Sequence, residues 1–222
     1  MPSSTYTCIL WDVDGTIADA SAGILPRLRQ VLASYDLPEP DADALSLWIG
    51  PPILESFQLR AGMDAVQAEE AVTRYRGLAA ADGYAASVDL YPGVADVLRA
   101  VHAAGIPQAT ASTKPENQVQ AILDHYELSP LFTAVSGARV GMIGNHDGKS
   151  FVIAQALERL RAAGADVSHP VLIGDRHHDV DGAAEHGIPV IFSEWGFGRP
   201  AEAEGAKARV ADAAELHALL LG

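Results

Sequence analysis

The sequence predicts an α/β protein, a doubly wound parallel sheet with one all-helical segment inserted after the first strand. Short apolar runs (Thr7–Trp11, Ile106–Ala111, Phe132–Val135, Val171–Ile173, Ile188–Phe192) alternate with stretches of helical periodicity, the pattern of βαβ units. Three of these runs end at once in residues that carry chemistry: Asp12 and Asp14, Ser112 and Thr113, and Gly174-Asp175. Ligands of open α/β sheets bind beyond the carboxyl ends of the strands. Between the first run and the second, residues 19–87 show helical spacing and nothing that reads as a strand.

The first strand delivers Asp12 and Asp14 two positions apart, and Gly15 allows a sharp turn before the Thr16 hydroxyl. Two carboxylates so close are unfavourable unless a cation lies between them or one keeps its proton. That demand points to a bound divalent cation, or to one nucleophile beside one acid/base. An EF-hand calcium loop needs further oxygen ligands, and Ala18-Asp19-Ala20 does not continue one.

In the inserted segment, Ile24, Leu25, Leu28, Val31 and Leu32 recur at helical spacing, and Tyr35 to Pro40 breaks the run. Gly50-Pro51-Pro52 forces a loop inside an apolar stretch, and Val66 to Leu78 is rich in helix formers. After Tyr91-Pro-Gly93 the pattern predicts a helix with Val94, Val97, Leu98 and Val101 on one face, ended by Gly105. A further helix spans Glu116 to Tyr126, before a Gly-rich connection from Gly137 to Asp147. Lys149 then opens an amphipathic helix against the helix dipole, which calls for a reason. Gly174-Asp175 is followed by Asp179 and Asp181, and Arg209 to Asp212 with a helix over Ala213–Leu220 closes the chain.

The chain has 222 residues, 49% hydrophobic and 20% charged, enough for a substantial core. Its net charge of −14 argues against nucleic acid or an anionic membrane as partner. No stretch has the apolar length of a membrane span, and no basic-then-apolar leader opens it. Cys8, the single cysteine, excludes an intramolecular disulfide, so a cytoplasmic location is expected.

Asp12-Val-Asp-Gly-Thr-Ile17, Ser112-Thr-Lys-Pro115, Lys149 and Gly174-Asp-Arg-His-His-Asp179 together resemble the four motifs of the haloacid dehalogenase superfamily, in particular its phosphatases. The resemblance covers essentially the whole chain. It implies a Rossmann-like core of residues 1–17 and 88–222 and a helical cap over 18–87. It further implies Asp12 as nucleophile, Asp14 as acid/base, Ser112 (preferred to Thr113) as phosphoryl-binding hydroxyl and Lys149 (preferred to Lys114) as the pairing cation. A Mg²⁺ site would use Asp12, the Asp14 backbone and Asp175, with Asp179 orienting a metal-bound water or a neighbouring backbone; Asp181 lies beyond the motif. Gly15, Thr16 and Thr113 fall in the phosphoryl-binding loops. Trp48-Ile-Gly50-Pro-Pro and Tyr75-Arg76 look like cap pieces of phosphoglycolate-phosphatase-like members, so Gly50 and Arg76 are candidates to face substrate. Trp195-Gly-Phe-Gly198 resembles a family loop near the fourth motif, or simply packs.

The implied activity is Mg²⁺-dependent hydrolysis of a small phosphorylated metabolite (phosphoglycolate-, nucleotide- or sugar-phosphate-like) through an aspartyl phosphate, by a monomer or homodimer. A phosphosugar mutase or a non-catalytic phosphate-binding module are the alternatives. Asp14 argues against a dehalogenase, and the absence of any lysine between Asp14 and Lys114 against a phosphonatase. Zinc held by His177 and His178, with His146 and His186 in reserve, is disfavoured because adjacent histidines on one turn seldom converge; exposed histidines are expected.

Overall fold

The computed structural model describes residues 5–141 and 147–222. His146 and residues 142–145 of the Gly-rich connection before it therefore lie outside the described residues. At the centre is β1 (Cys8–Trp11), all four of its residues fully buried. Chain order then gives β2 (Ala18–Asp19), helices α1 (Ser21–Ala33), α2 (Ala42–Ser46), α3 (Ile53–Leu59) and α4 (Ala65–Asp82), and β3 (Asp89–Leu90). Next come α5 (Val94–Ala103), β4 (Gln108–Thr110), α6 (Glu116–His125), α7 (Lys149–Ala162), β5 (Pro170–Gly174) and α8 (His177–Ala184). The chain ends with β6 (Val190–Ser193), β7 (Ala208–Val210) and α9 (Ala213–Leu221).

The main sheet has the order β4-β1-β5-β6-β7, parallel throughout. Alternate residues of β1 feed the two faces, as a two-residue side-chain period requires. Ile9 and Trp11 join Val97, Leu98, Val101, Ile122 and Leu216 on one side. Cys8 and Leu10 join Val152, Ile153, Leu160 and Val180 on the other. The buried Trp11 indole donates to Gln108 Oε1 at 3.0 Å, and the Gln108 amide donates to Leu98 O and Leu131 O at 3.0 and 3.2 Å, so these core polar groups are satisfied. With β4 on one side of β1 and β5 on the other, the chain reverses its direction of travel at β1, where such sheets place their ligand crevice.

Helices α1 and α3 both pack on α4, with Ile24, Leu28, Val72 and Phe57 buried in the same apolar cluster. Asp64 and Gln67 close a reciprocal capping box at the start of α4. Among the described residues, no helix is long and apolar enough to cross a membrane.

Two expectations fail locally. Asp19 was expected to begin a strand-free segment, yet β2 pairs antiparallel with β3, Ala18 opposite Leu90 and Asp19 opposite Asp89. The pair clasps both ends of the helical insert, and two-residue strands are too short to show an alternation. Phe132–Val135 is not a strand. It makes one isolated bridge, Ala109 with Ala134. Beyond it, the Thr110 hydroxyl donates to Ser136 O and accepts from Ser136 N at 2.9 and 2.8 Å, a side chain taking the place of the next ladder rung.

Candidate active site

All four sequence motifs meet at the carboxyl edge of the sheet. Asp12 leaves β1 with its amide bonded to Ile173 O at 2.9 Å, which holds it against the end of β5. Lys149, the first residue of α7, reaches Asp12 Oδ1 at 2.7 Å, Asp179 Oδ1 at 2.6 Å and Ala111 O at 2.8 Å. The lysine at the head of that helix thus has its reason: two carboxylates and a carbonyl outweigh the dipole. Burial works against its charge, but Asp12 and Asp179 more than compensate and raise its pKa above the ordinary lysine value.

Asp179 spends its other oxygen on the backbone, accepting from Asp175 N at 3.1 Å and Arg176 N at 2.9 Å. Among the described residues, the Asp175 carboxylate accepts from neutral donors: Phe197 N at 2.8 Å and the Thr16 hydroxyl at 3.4 Å. Oxygens of Asp12, Asp175 and Asp179 lie within 4.8 Å of one another. Burial, then the Asp179 and Asp12 charges, hold the Asp175 carboxyl well above the usual carboxylate range. Three buried acids served by one ammonium leave a deficit of positive charge, and an all-oxygen set of this kind suits Mg²⁺. The residues present fit such an ion, with Asp12 and Asp175 the carboxylates best placed to hold it.

Asp14 sits in a different environment. Its Oδ2 pairs with Lys114 at 2.8 Å, while its Oδ1 is buried with no hydrogen-bond partner. Burial raises its pKa despite the pull of Lys114. Asp14 also forms the floor of a cavity of about 80 Å³ beneath the helical insert. Trp48, Ile53, Leu54 and Val72 make its apolar wall, and Gly50, Arg76 and Asp147 also line it.

The remaining expected residues take these places. Ser112 is buried, its hydroxyl accepting from Lys114 N at 3.3 Å. The Thr113 hydroxyl donates to Gly50 O at 2.8 Å. Gly15, at φ +93°, lies so close to Asp175 that a Cβ would come within 2.2 Å of its Oδ2. The Gly15 and Thr16 amides are bonded to Ala18 O and Val13 O. Asp181 is exposed. His177 and His178 stack at 3.9 Å and are half-buried rather than exposed, because Glu202 and Glu55 each draw one ring in.

Two contributors, Lys114 and Arg176, were given no site role from sequence, and a third, the Trp195-Gly-Phe-Gly198 loop, was read either as a family loop or as simple packing. Lys114 was weighed only as a rival to Lys149, yet it serves the second aspartate; two acids in different pockets need two cations. Arg176 is almost completely buried beside Asp175, and a charged residue directly after a motif acid was the available signal. The Trp195-Gly-Phe-Gly198 loop wraps Asp175: a Cβ at Gly198 would lie 1.7 Å from Asp175 O, and the Trp195 indole donates to Thr16 O at 3.1 Å.

A parallel α/β sheet that gathers acids, a hydroxyl and a buried lysine at its carboxyl edge, under an inserted helical body, defines the class of Rossmann-like proteins with an aspartate-centred site after the first strand. The profile of one such family, haloacid dehalogenase-like hydrolase, matches residues 9–193. The chain belongs to that family. It is 35% identical over 198 residues to the tyrosine-protein kinase PtkA of Mycobacterium tuberculosis, covering 89% of this chain but 65% of that protein. It thus spans less than two thirds of that relative. It is 34% identical to a phosphoglycolate phosphatase of Caulobacter vibrioides over 208 residues, 89% of this chain and 84% of that one. Among solved structures, a predicted phosphatase from Clostridium acetobutylicum superposes with a TM-score of 0.88 at 30% identity, covering 97% of this chain and 98% of that one.

Proposed function

We propose that this protein is a phosphatase that hydrolyses a small phosphomonoester through an aspartyl phosphate on Asp12, with Mg²⁺ as its metal. The observation that carries the reading is the contrast between the two aspartates. Asp12 pairs with Lys149 at 2.7 Å inside the acid cluster, whereas Asp14 pairs with Lys114 at 2.8 Å and lines the cavity beneath the helical insert. One environment suits a nucleophile and the other a proton carrier.

In the first half-reaction, an Asp12 oxygen bonds to phosphorus as the bond to the ester oxygen breaks, and Asp14 gives its proton to that leaving oxygen. In the second, Asp14 takes a proton from water as the water oxygen bonds to phosphorus and the Asp12–phosphorus bond breaks, freeing phosphate. Lys149 and the Ser112 hydroxyl stabilise negative charge on the phosphoryl oxygens. Mg²⁺, held by Asp12, Asp175 and the Asp14 backbone carbonyl, would supply positive charge to the same oxygens. Asp179 aligns the end of β5 by binding the Asp175 and Arg176 amides. Residues 18–87 act as a cap over the core formed by 1–17 and 88–222, closing the leaving-group cavity with Gly50 and Arg76 on its wall.

Similarity to a protein named a tyrosine kinase favours a second reading, in which a phenolic hydroxyl replaces water as acceptor of the Asp12 phosphoryl group. Phosphate release from p-nitrophenyl phosphate and a panel of phosphometabolites, with Mg²⁺ and with EDTA, tests the first. Labelling of a tyrosine peptide from a phosphoryl donor, without phosphate release, would favour the second.

A further inference from the structure

We propose that Arg176 and Thr113 are positioning residues that lock the Ile49–Gly50 loop of the helical insert onto the acid site, so that closure of the insert and alignment of the site are one event. The inference deepens the phosphatase reading and rests on it for its kinetic part.

Two consecutive carbonyls of that loop are taken by side chains of the core. Arg176 Nη1 donates to Ile49 O, and Thr113 Oγ1 donates to Gly50 O at 2.8 Å. Each donor stands one residue after a motif residue: Arg176 follows Asp175, and Thr113 follows Ser112. Arg176 has little freedom to do anything else. It is 2% exposed, its Nε donates to Glu202 Oε2 at 2.8 Å, and its own amide is fixed to Asp179 Oδ2 at 2.9 Å. The loop is shaped to receive it. Gly50 has φ +103°, and a Cβ there would meet the Arg176 side chain at 2.9 Å. The planar guanidinium fork lets one side chain hold Glu202 and the loop carbonyl together, which a lysine point charge does not. A buried cation and its carboxylate are costly to desolvate, and they pair here where a loop of the insert meets the residue that follows Asp175. If the loop lifts, Arg176 loses a carbonyl partner in a buried setting and Thr113 loses its acceptor; if either donor shifts, the adjoining Asp175 or Ser112 shifts with it.

Hydrogen exchange of the segment 47–57, read alongside kcat and KM for p-nitrophenyl phosphate, tests this in the full-length protein. Thr113→Val and Arg176→Lys should each speed exchange of that segment roughly three- to tenfold, the size of one lost hydrogen bond. Exchange within β5 should not change in Thr113→Val, kcat should fall more than KM rises, and Thr113→Ser should restore protection. Unchanged exchange in Thr113→Val, or faster exchange with kcat untouched, would overturn the proposal. If Arg176→Lys fails to fold, Thr113→Val decides alone. Absence of turnover in the unsubstituted protein would instead overturn the phosphatase reading, while the exchange comparison still decides whether these residues hold the loop.

Discussion

The acid floor of the site and the roof of the cavity beside it are built on opposite principles. The floor, at the carboxyl edge of β1, β4 and β5, is dense in charge and nearly fully specified: Lys149 touches three oxygens, Asp179 serves two amides and a lysine, and Asp175 is boxed in by glycines at 15, 196 and 198. The roof, from α1, α3, α4 and the loop at Gly50, is mostly apolar, with the Arg76 and Asp147 charges at its margin. Chemistry that must be the same for every substrate belongs on the floor, where atoms are fixed. Choice of substrate belongs on the roof, where a side chain can change without disturbing the acids.

Substitutions that cross this divide should differ by orders of magnitude. Asp12→Asn, on the floor, removes the anionic oxygen and should abolish turnover by several orders of magnitude with the fold kept. Retention of about a tenth of the activity or more contradicts the nucleophile assignment, since acid–base help alone is worth roughly a hundredfold. Next in size is the metal. Activity should rise with added Mg²⁺, vanish with EDTA and be opposed by Ca²⁺, whose looser coordination suits this acid set less well; full activity after exhaustive chelation would remove Mg²⁺ from the account. On the roof, Arg76→Ala should raise KM for an ester with a second anionic group by about 1.5–3 kcal/mol, while p-nitrophenyl phosphate changes much less. Equal losses on both would mean that Arg76 acts through closure instead.

The smallest effect tests the hinge between the two regions. Burial opposes the Glu202 charge, but hydrogen bonds from His177 and Arg176 bring its pKa down from 4.5 to about 2. A carboxylate whose folded pKa is depressed adds stability above its unfolded pKa and loses it as pH falls through the folded one. Glu202→Gln should therefore lower Tm near neutral pH and flatten the fall in Tm between about pH 4.5 and 2. A variant whose melting follows the same pH curve as the parent would show that the Arg176–Glu202 pair adds nothing.

The same divide explains what could be read from the sequence. The floor was legible because short motifs at strand ends, and Lys149 at a helix start, resemble those of a known family: Asp12 and Asp14, Ser112, Lys149, Asp175 and Asp179 lie at the same carboxyl edge of the sheet. Helices α1, α5 and α7 were legible through their periodic apolar faces, and α4 through its helix-forming composition. What was missed depends on contacts distant in sequence. β2 and β3 exist only because they pair across 72 positions, Ala18 with Leu90. Phe132–Val135 has a strand's composition, but Ser136 satisfies its backbone through the Thr110 side chain instead. Arg176 reads as an ordinary surface arginine until Ile49 and Glu202, 127 and 26 residues away, are brought beside it.

The central claim is that Asp12 carries the phosphoryl group while Asp14 moves protons at the cavity floor. Rapid-quench mass spectrometry during turnover of p-nitrophenyl phosphate, whose leaving group needs little protonation, tests it most directly. The account predicts the mass of one phosphoryl group on Asp12, accumulating in Asp14→Asn because the water that releases phosphate is no longer deprotonated. Turnover that leaves Asp12 unlabelled in both proteins, or a label on another residue, would contradict it.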